Sequence, residues 1–122
     1  MYQAKVTGDR LYHAQSESYG SSIELFGHTK DGNTPMSLMV IALGACVTMC
    51  IQGFYKRYHS IDVMPITVDT SFENDQFSQT IQLPEKLDKE TDQALRDYIS
   101  KHCNVKKILR QDLKITLEFT HN

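Results

Sequence analysis

The 122-residue sequence predicts an α+β domain with mainly antiparallel sheets around one long central helix, and three patterns carry that prediction. Residues Met36 to Phe54 carry no charge and are apolar around the whole helical circumference, so a helix there needs cover on every side. The segments on either side of it alternate polar and apolar residues with the period of a strand. Two later segments carry the narrower apolar stripe of helices that cover a sheet. The expected order is β-β-β-α-β-β-α-α-β.

Tyr2, Ala4 and Val6 alternate with Gln3 and Lys5, and Gly8-Asp9 can turn the chain toward a return arm at Leu11 to Gln15. A third strand is expected at Ser22 to Phe26, followed by turn-rich residues Gly27 to Asn33. Thr34 suits an N-cap and Pro35 the first helical position, where its missing N–H costs nothing. The central helix is expected to start there and run to about Tyr58, with Lys56 and Arg57 at the negative end of its dipole and Pro65 opposing continuation. Ile66, Val68 and Phe72 share one face of the next strand, with Thr67, Asp69 and Glu73 on the other. Asn74-Asp75 turns the chain, and Phe77, Gln79, Ile81 and Leu83 share a face of the return arm. Asp88 can cap a helix to about His102, with Ala94, Leu95, Tyr98 and Ile99 as its stripe. Asn104 can cap a short helix carrying Val105, Ile108 and Leu109, and Leu113, Ile115, Leu117 and Phe119 alternate along a last strand.

The chain length suits a single domain over residues 1–122, since two cores would be hard to build from so few side chains. Thirteen basic and 15 acidic residues leave a formal charge of −2, so there is no polyelectrolyte surface and nucleic acid is not an expected partner. The apolar run is long enough to cross a bilayer, but Ser37, Thr48 and Gln52 interrupt it and its flanks read as ordinary strands, so no membrane span is expected. The N-terminus has no secretory pattern, which points to a cytoplasmic protein whose three cysteines are free or transiently paired.

Those cysteines are the residues with chemistry to offer. Cys46 lies about three turns into the central helix, too deep for the terminal N–H groups to activate it, so a reactive thiolate there needs a polar partner supplied by the fold. Cys103 is better placed than Cys50 to form a disulfide with it, because Cys46 and Cys50 share a helix face at a spacing that strains a bond between them. Plain core packing accounts for a buried cysteine equally well, most of all Cys50. A competing use is tetrahedral zinc on Cys46, Cys50, His102 and Cys103, although this spacing is not that of a zinc knuckle. His13, His28, His59 and His121 are isolated and read as exposed.

The run DGNTPMSLMVIALGACVTMC, followed much later by HCNVKKIL, resembles the OsmC/Ohr family of osmotically induced proteins and organic hydroperoxide reductases. The element order fits along nearly the whole chain. The resemblance implies an OsmC-like fold in an intertwined homodimer, with the central-helix cysteine and a second cysteine together near the subunit interface. Relatives carry a glutamate in the first turn of that helix, where this sequence has Met36 and Ser37. Asn104 stands where a proline commonly follows the second cysteine.

By the same resemblance, the chain is expected to be a thiol peroxidase for organic hydroperoxides. Cys46 would become a sulfenic acid and condense with Cys103, and a dithiol or lipoyl-type reductant would reset the pair, with no metal or organic cofactor. Arg10 would hold the thiolate and the peroxide. Met39, Leu43, Met49, Phe54 and Ile99 would supply an apolar wall for the organic group, or be ordinary core. The alternative is a non-enzymatic module of the same fold that binds a small hydrophobic ligand or senses redox state.

Overall fold

A computed structural model describes residues 1–122. The order of elements is β1 (Lys5–Thr7), β2 (His13–Glu17), β3 (Ile23–Phe26), α1 (Pro35–His59), β4 (Thr67–Glu73), β5 (Gln76–Leu83), α2 (Lys89–His102), α3 (Asn104–Ile108) and β6 (Lys114–His121), as the sequence predicts. The chain divides into two compact units, residues 1–39 and 40–122.

In the first unit, β1, β2 and β3 form an antiparallel sheet in that order, with Lys5 opposite Glu17 and His13 opposite Phe26. The return arm begins at His13 rather than Leu11, because Tyr12 takes a left-handed backbone (φ 55°) that ends the turn. His13 is not the exposed residue its sequence context suggests. Its ring is shielded, lies 2.8 Å from a Glu24 carboxylate oxygen and sits edge-on to Phe26. Thr34 and Ser37 close a reciprocal cap at the start of α1. The Ser37 N–H donates to Thr34 Oγ1 at 3.0 Å and the Thr34 N–H to Ser37 Oγ at 2.8 Å. Ser37 thus takes the part a glutamate plays in the capping box.

In the second unit, β5 is the central strand of a sheet ordered β4-β5-β6. β4 and β5 are antiparallel and joined by Asn74 and Asp75, both at positive φ (53° and 59°), the two-residue turn whose twist matches the strands. β5 and β6 are parallel, the one exception among four strand pairings that are otherwise antiparallel as expected, and this second sheet is mixed. The reason is the connection: α2 and α3 carry the chain from the end of β5 back to its start, and a crossover of that kind produces a parallel pair.

Phe77, Gln79, Ile81 and Leu83 are buried on one face of β5, as the alternation predicts. They form one core with Leu43, Val47, Cys50, Ile51 and Phe54 of α1, Leu95 and Ile99 of α2, and Cys103. Ala94 is exposed rather than part of the α2 stripe, and so is Ile108 on the single-turn α3. Gly44 marks a close approach of α1 to β4: a methyl group on it would lie 3.0 Å from Thr70 Oγ1. That hydroxyl also accepts from Gln79 Nε2 at 3.1 Å, which accounts for a glutamine in the core.

Candidate functional site

Cys103 occupies the break between two helices. It is the C-cap of α2, where its N–H donates to the Ile99 carbonyl at 2.9 Å, and the N-cap of α3. Its extended backbone (φ −74°, ψ 102°) reverses the chain there and leaves Asn104 as the first residue of α3 rather than its cap. The side chain is fully buried, against the face of α1 that carries Cys50 and Cys46.

The three sulfur atoms lie within 4.8 Å of one another. Cys46 is half-buried, whereas Cys50 is buried in the core. All three thiols are free. Sequence reasoning paired Cys46 with Cys103 and treated Cys50 as filling, joining it to them only in the competing zinc set with His102. The spacing of four that puts Cys50 on the Cys46 face was the signal for a third member of the cluster.

The charge in the cluster centres on Cys103, whose pKa is pulled down from 9.0 to about 5. The Cys50 thiol, acting as a donor, is the largest influence, and burial opposes it. The Cys46 thiol and the N–H groups of Lys106 and Val105 act in the same direction as Cys50. Those N–H groups polarise the sulfur without closing a full side-chain capping hydrogen bond. The other two thiols move upward. Burial raises Cys46, partly offset by the Val105 N–H, while the neighbouring Cys103 sulfur and then burial raise Cys50. The downward shift of Cys103 and the upward shifts of its two neighbours are thus one coupled titration of three sulfurs.

The other residues singled out from sequence fall in several places. Leu43, Phe54 and Ile99 are core residues, and Phe54 also borders a cleft with Tyr58, Tyr98 and His102. Met49 is 67% exposed on α1, and Met39 is 37% exposed near the start of that helix. Arg10 lies in the first unit, in the turn between β1 and β2, where it lines a cleft with Tyr12, His28 and Asp31. The His102 ring stacks on Tyr98 with centroids 4.2 Å apart, and the sulfur cluster is made by the three cysteines alone.

Solved structures share this fold. A putative osmotic stress induced and detoxification response protein from Psychrobacter arcticus superposes with a TM-score of 0.75 at 17% identity, covering 98% of this chain and 96% of its own. A hypothetical protein from Aquifex aeolicus gives 0.78 at 12% identity, with 100% and 96% covered. The organic hydroperoxide resistance protein OhrB of Bacillus subtilis gives 0.65 at 17% identity, with 98% of each chain covered. No curated protein matches the sequence. The sequence profile of the OsmC-like proteins matches residues 27–118, which span α1, the thiol cluster and most of the β4-β5-β6 sheet, and the chain belongs to that family.

Proposed function

We propose that this protein is a thiol-dependent peroxidase that reduces organic hydroperoxides through a Cys46–Cys103 disulfide. The observation that supports the reading is a half-exposed thiol, Cys46, held within 4.8 Å of the buried sulfur of Cys103, whose pKa its neighbours draw down. Peroxide meets Cys46 first, and Cys103 serves as its base and then as its resolving partner.

In the first step the Cys103 thiolate takes the Cys46 proton. The Cys46 thiolate attacks the terminal peroxide oxygen, the O–O bond breaks, and the leaving alkoxide recovers the proton from Cys103 to give the alcohol. Cys46 is then a sulfenic acid and Cys103 a thiolate again. Attack of Cys103 on the Cys46 sulfur forms the S–S bond and breaks S–O, and the hydroxide takes a solvent proton to become water. Two thiols and one hydroperoxide become one disulfide, one alcohol and one water. A dithiol of the lipoyl type restores the thiols by exchange, and the cycle uses no metal or organic cofactor. Met49, exposed at i+3 from Cys46 on α1, favours an organic over an inorganic peroxide by removing its apolar group from water. Arg10 is assigned the peroxide oxygens in this reading on residue chemistry alone, since a guanidinium donates hydrogen bonds in a fixed fork. Three free thiols suit a reducing compartment such as the cytoplasm.

The decisive experiment mixes reduced protein with stoichiometric cumene hydroperoxide and follows peroxide, free thiols and intact mass. Rapid peroxide loss, disappearance of two thiols and a Cys46–Cys103 link are expected. Consumption no faster than by Cys46→Ser, with all three thiols retained, rejects the reading.

A homodimer belongs to the same proposal. Along α1, Ile41 and Met49 are 48% and 67% exposed, a costly arrangement for one side of an apolar helix, and a second copy of the chain would cover it. Solution scattering at micromolar concentration should give twice the mass of one chain, and the mass of a single chain would reject the dimer.

A further inference from the structure

We propose that Cys46, Cys50 and Cys103 form a three-sulfur site for one soft cation of the copper(I) type. The argument starts from the donor set. Three sulfurs lie within 4.8 Å of one another, and no imidazole or carboxylate joins them. A metal about 2.3 Å from each of three thiolates in a trigonal array holds them about 4.0 Å apart. The cluster therefore has to contract by less than about 1 Å to close on an ion of that size.

The backbone positions suit such a contraction. Cys46 and Cys50 sit one turn apart on the rigid α1, a spacing that lets two side chains reach one ion between them. The third sulfur comes from Cys103 at the helix junction, where a small change of side-chain torsion moves it toward α1. The N–H groups of Asn104, Val105 and Lys106 face the cluster and supply the surrounding dipoles that thiolate ligands need.

The donor count selects the metal. Structural zinc takes four protein ligands, and this cluster offers three sulfurs with no imidazole or carboxylate beside them. Copper(I) is soft, prefers thiolates and is satisfied by three of them. Binding involves no electron transfer: the three sulfurs ligate the ion as thiolates, and any protons they carry pass to solvent. Half-exposed Cys46 provides the entry path. The site does not rest on the peroxide reading. Occupied thiols cannot attack a peroxide, so on one molecule the two uses exclude each other.

The test is an anaerobic titration of reduced, metal-free protein with copper(I) in competition with a chromogenic copper(I) chelator, followed by copper X-ray absorption. One copper per chain bound by three sulfurs is expected. Cys50→Ser should lower the affinity by more than about 100-fold, beyond the about 10–100-fold that loss of an outer-shell partner costs. Circular dichroism checks its fold, and Cys46→Ser, altered at the most accessible of the three sites, gives a second measurement of the same loss. Two-coordinate copper in the wild type, wild-type affinity in either folded variant, or failure to compete with the chelator overturns the site. Peroxide consumption is measured on separate metal-free samples, so an inert protein that binds copper rejects the peroxidase and leaves the copper site standing.

Discussion

Cys50 and Cys103 meet where α1 faces the α2–α3 junction, and the Cys50 thiol is the largest single influence drawing the Cys103 pKa down to about 5. A buried residue with no role in forming the proposed disulfide thus tunes the charge of one that has such a role. Cys50→Ala should raise the Cys103 titration midpoint above about 5, read by ultraviolet thiolate absorbance. A midpoint that stays in place would show that the α3 N–H groups suffice.

The same shifts set a pH profile for the reduced protein. Cys103 has a native pKa below its unfolded value, so between about 5 and 9.0 the unfolded chain binds more protons and stability rises with pH. That contribution is lost as pH falls through about 5. Cys46 is shifted upward, so its contribution is intact below 9.0 and is lost as pH rises through its native value. Denaturant midpoints should climb from mild acid to pH 9 and then decline, and Cys103→Ser should flatten the climb. An unchanged profile in that variant would place the charge elsewhere.

Oxidation should stabilise the fold. A Cys46–Cys103 bond closes a loop of nearly 60 residues, which restricts the unfolded chain by about 4 kcal/mol in the chain-entropy account. Urea unfolding of Cys50→Ser, which leaves a single possible pair, should show that difference between its oxidised and reduced forms. No gain would mean that the disulfide strains the native helices.

Gly44→Ala offers about 1 kcal/mol of helix propensity but drives a methyl group to 3.0 Å from Thr70 Oγ1. Moving the hydroxyl away would break the bond from Gln79, a buried amide whose Oε1 already lacks a partner. Overpacking of about 1–3 kcal/mol should therefore win and make the substitution destabilising. In a Thr70→Ala background the nearest remaining atom is Cβ at 3.7 Å, and Gly44→Ala should become stabilising. Equal effects in both backgrounds, measured by denaturation, would show that α1 shifts to absorb the methyl group.

Asp88 accepts the Thr91 N–H at 2.7 Å at the start of α2, and this bond holds its carboxyl below the usual range. Asp88→Ala should lower the thermal midpoint at neutral pH. Because the native pKa is depressed, the difference from wild type should vanish as pH falls through it, and a gap that persists in strong acid would point to packing instead.

Much of this architecture was legible because certain residues leave little choice. Thr34-Pro35 sets the start of α1, Asn74-Asp75 sets the β4–β5 hairpin, and Asp88 starts α2 at the expected residue. Strand direction was less legible, since the alternation of Ile115, Leu117 and Phe119 is the same in a parallel and an antiparallel ladder. Tyr12 gave no hint of its left-handed backbone, which glycine or asparagine would have signalled. On α3, one helical turn is too short to hold Val105, Ile108 and Leu109 all against the core, so Ile108 faces outwards. At the site, two of the three sulfurs were expected together. The third was placed with them only in the competing zinc set with His102, because a spacing unfavourable for a disulfide between Cys46 and Cys50 says nothing against both meeting a distant Cys103.

The parallel β5–β6 pair also orders events as the chain folds. The β4–β5 hairpin closes over two residues and can form within microseconds, whereas β6 has to wait for the α2–α3 crossover to pay its loop-closure entropy. Cys103 travels in that crossover. Its thiol can therefore reach α1 only once α2 has folded back, so the cluster is assembled after the local β4–β5 hairpin. A newly made chain carries three ordinary, weakly acidic thiols, and their reactivity toward oxidants or metals develops only with the finished fold.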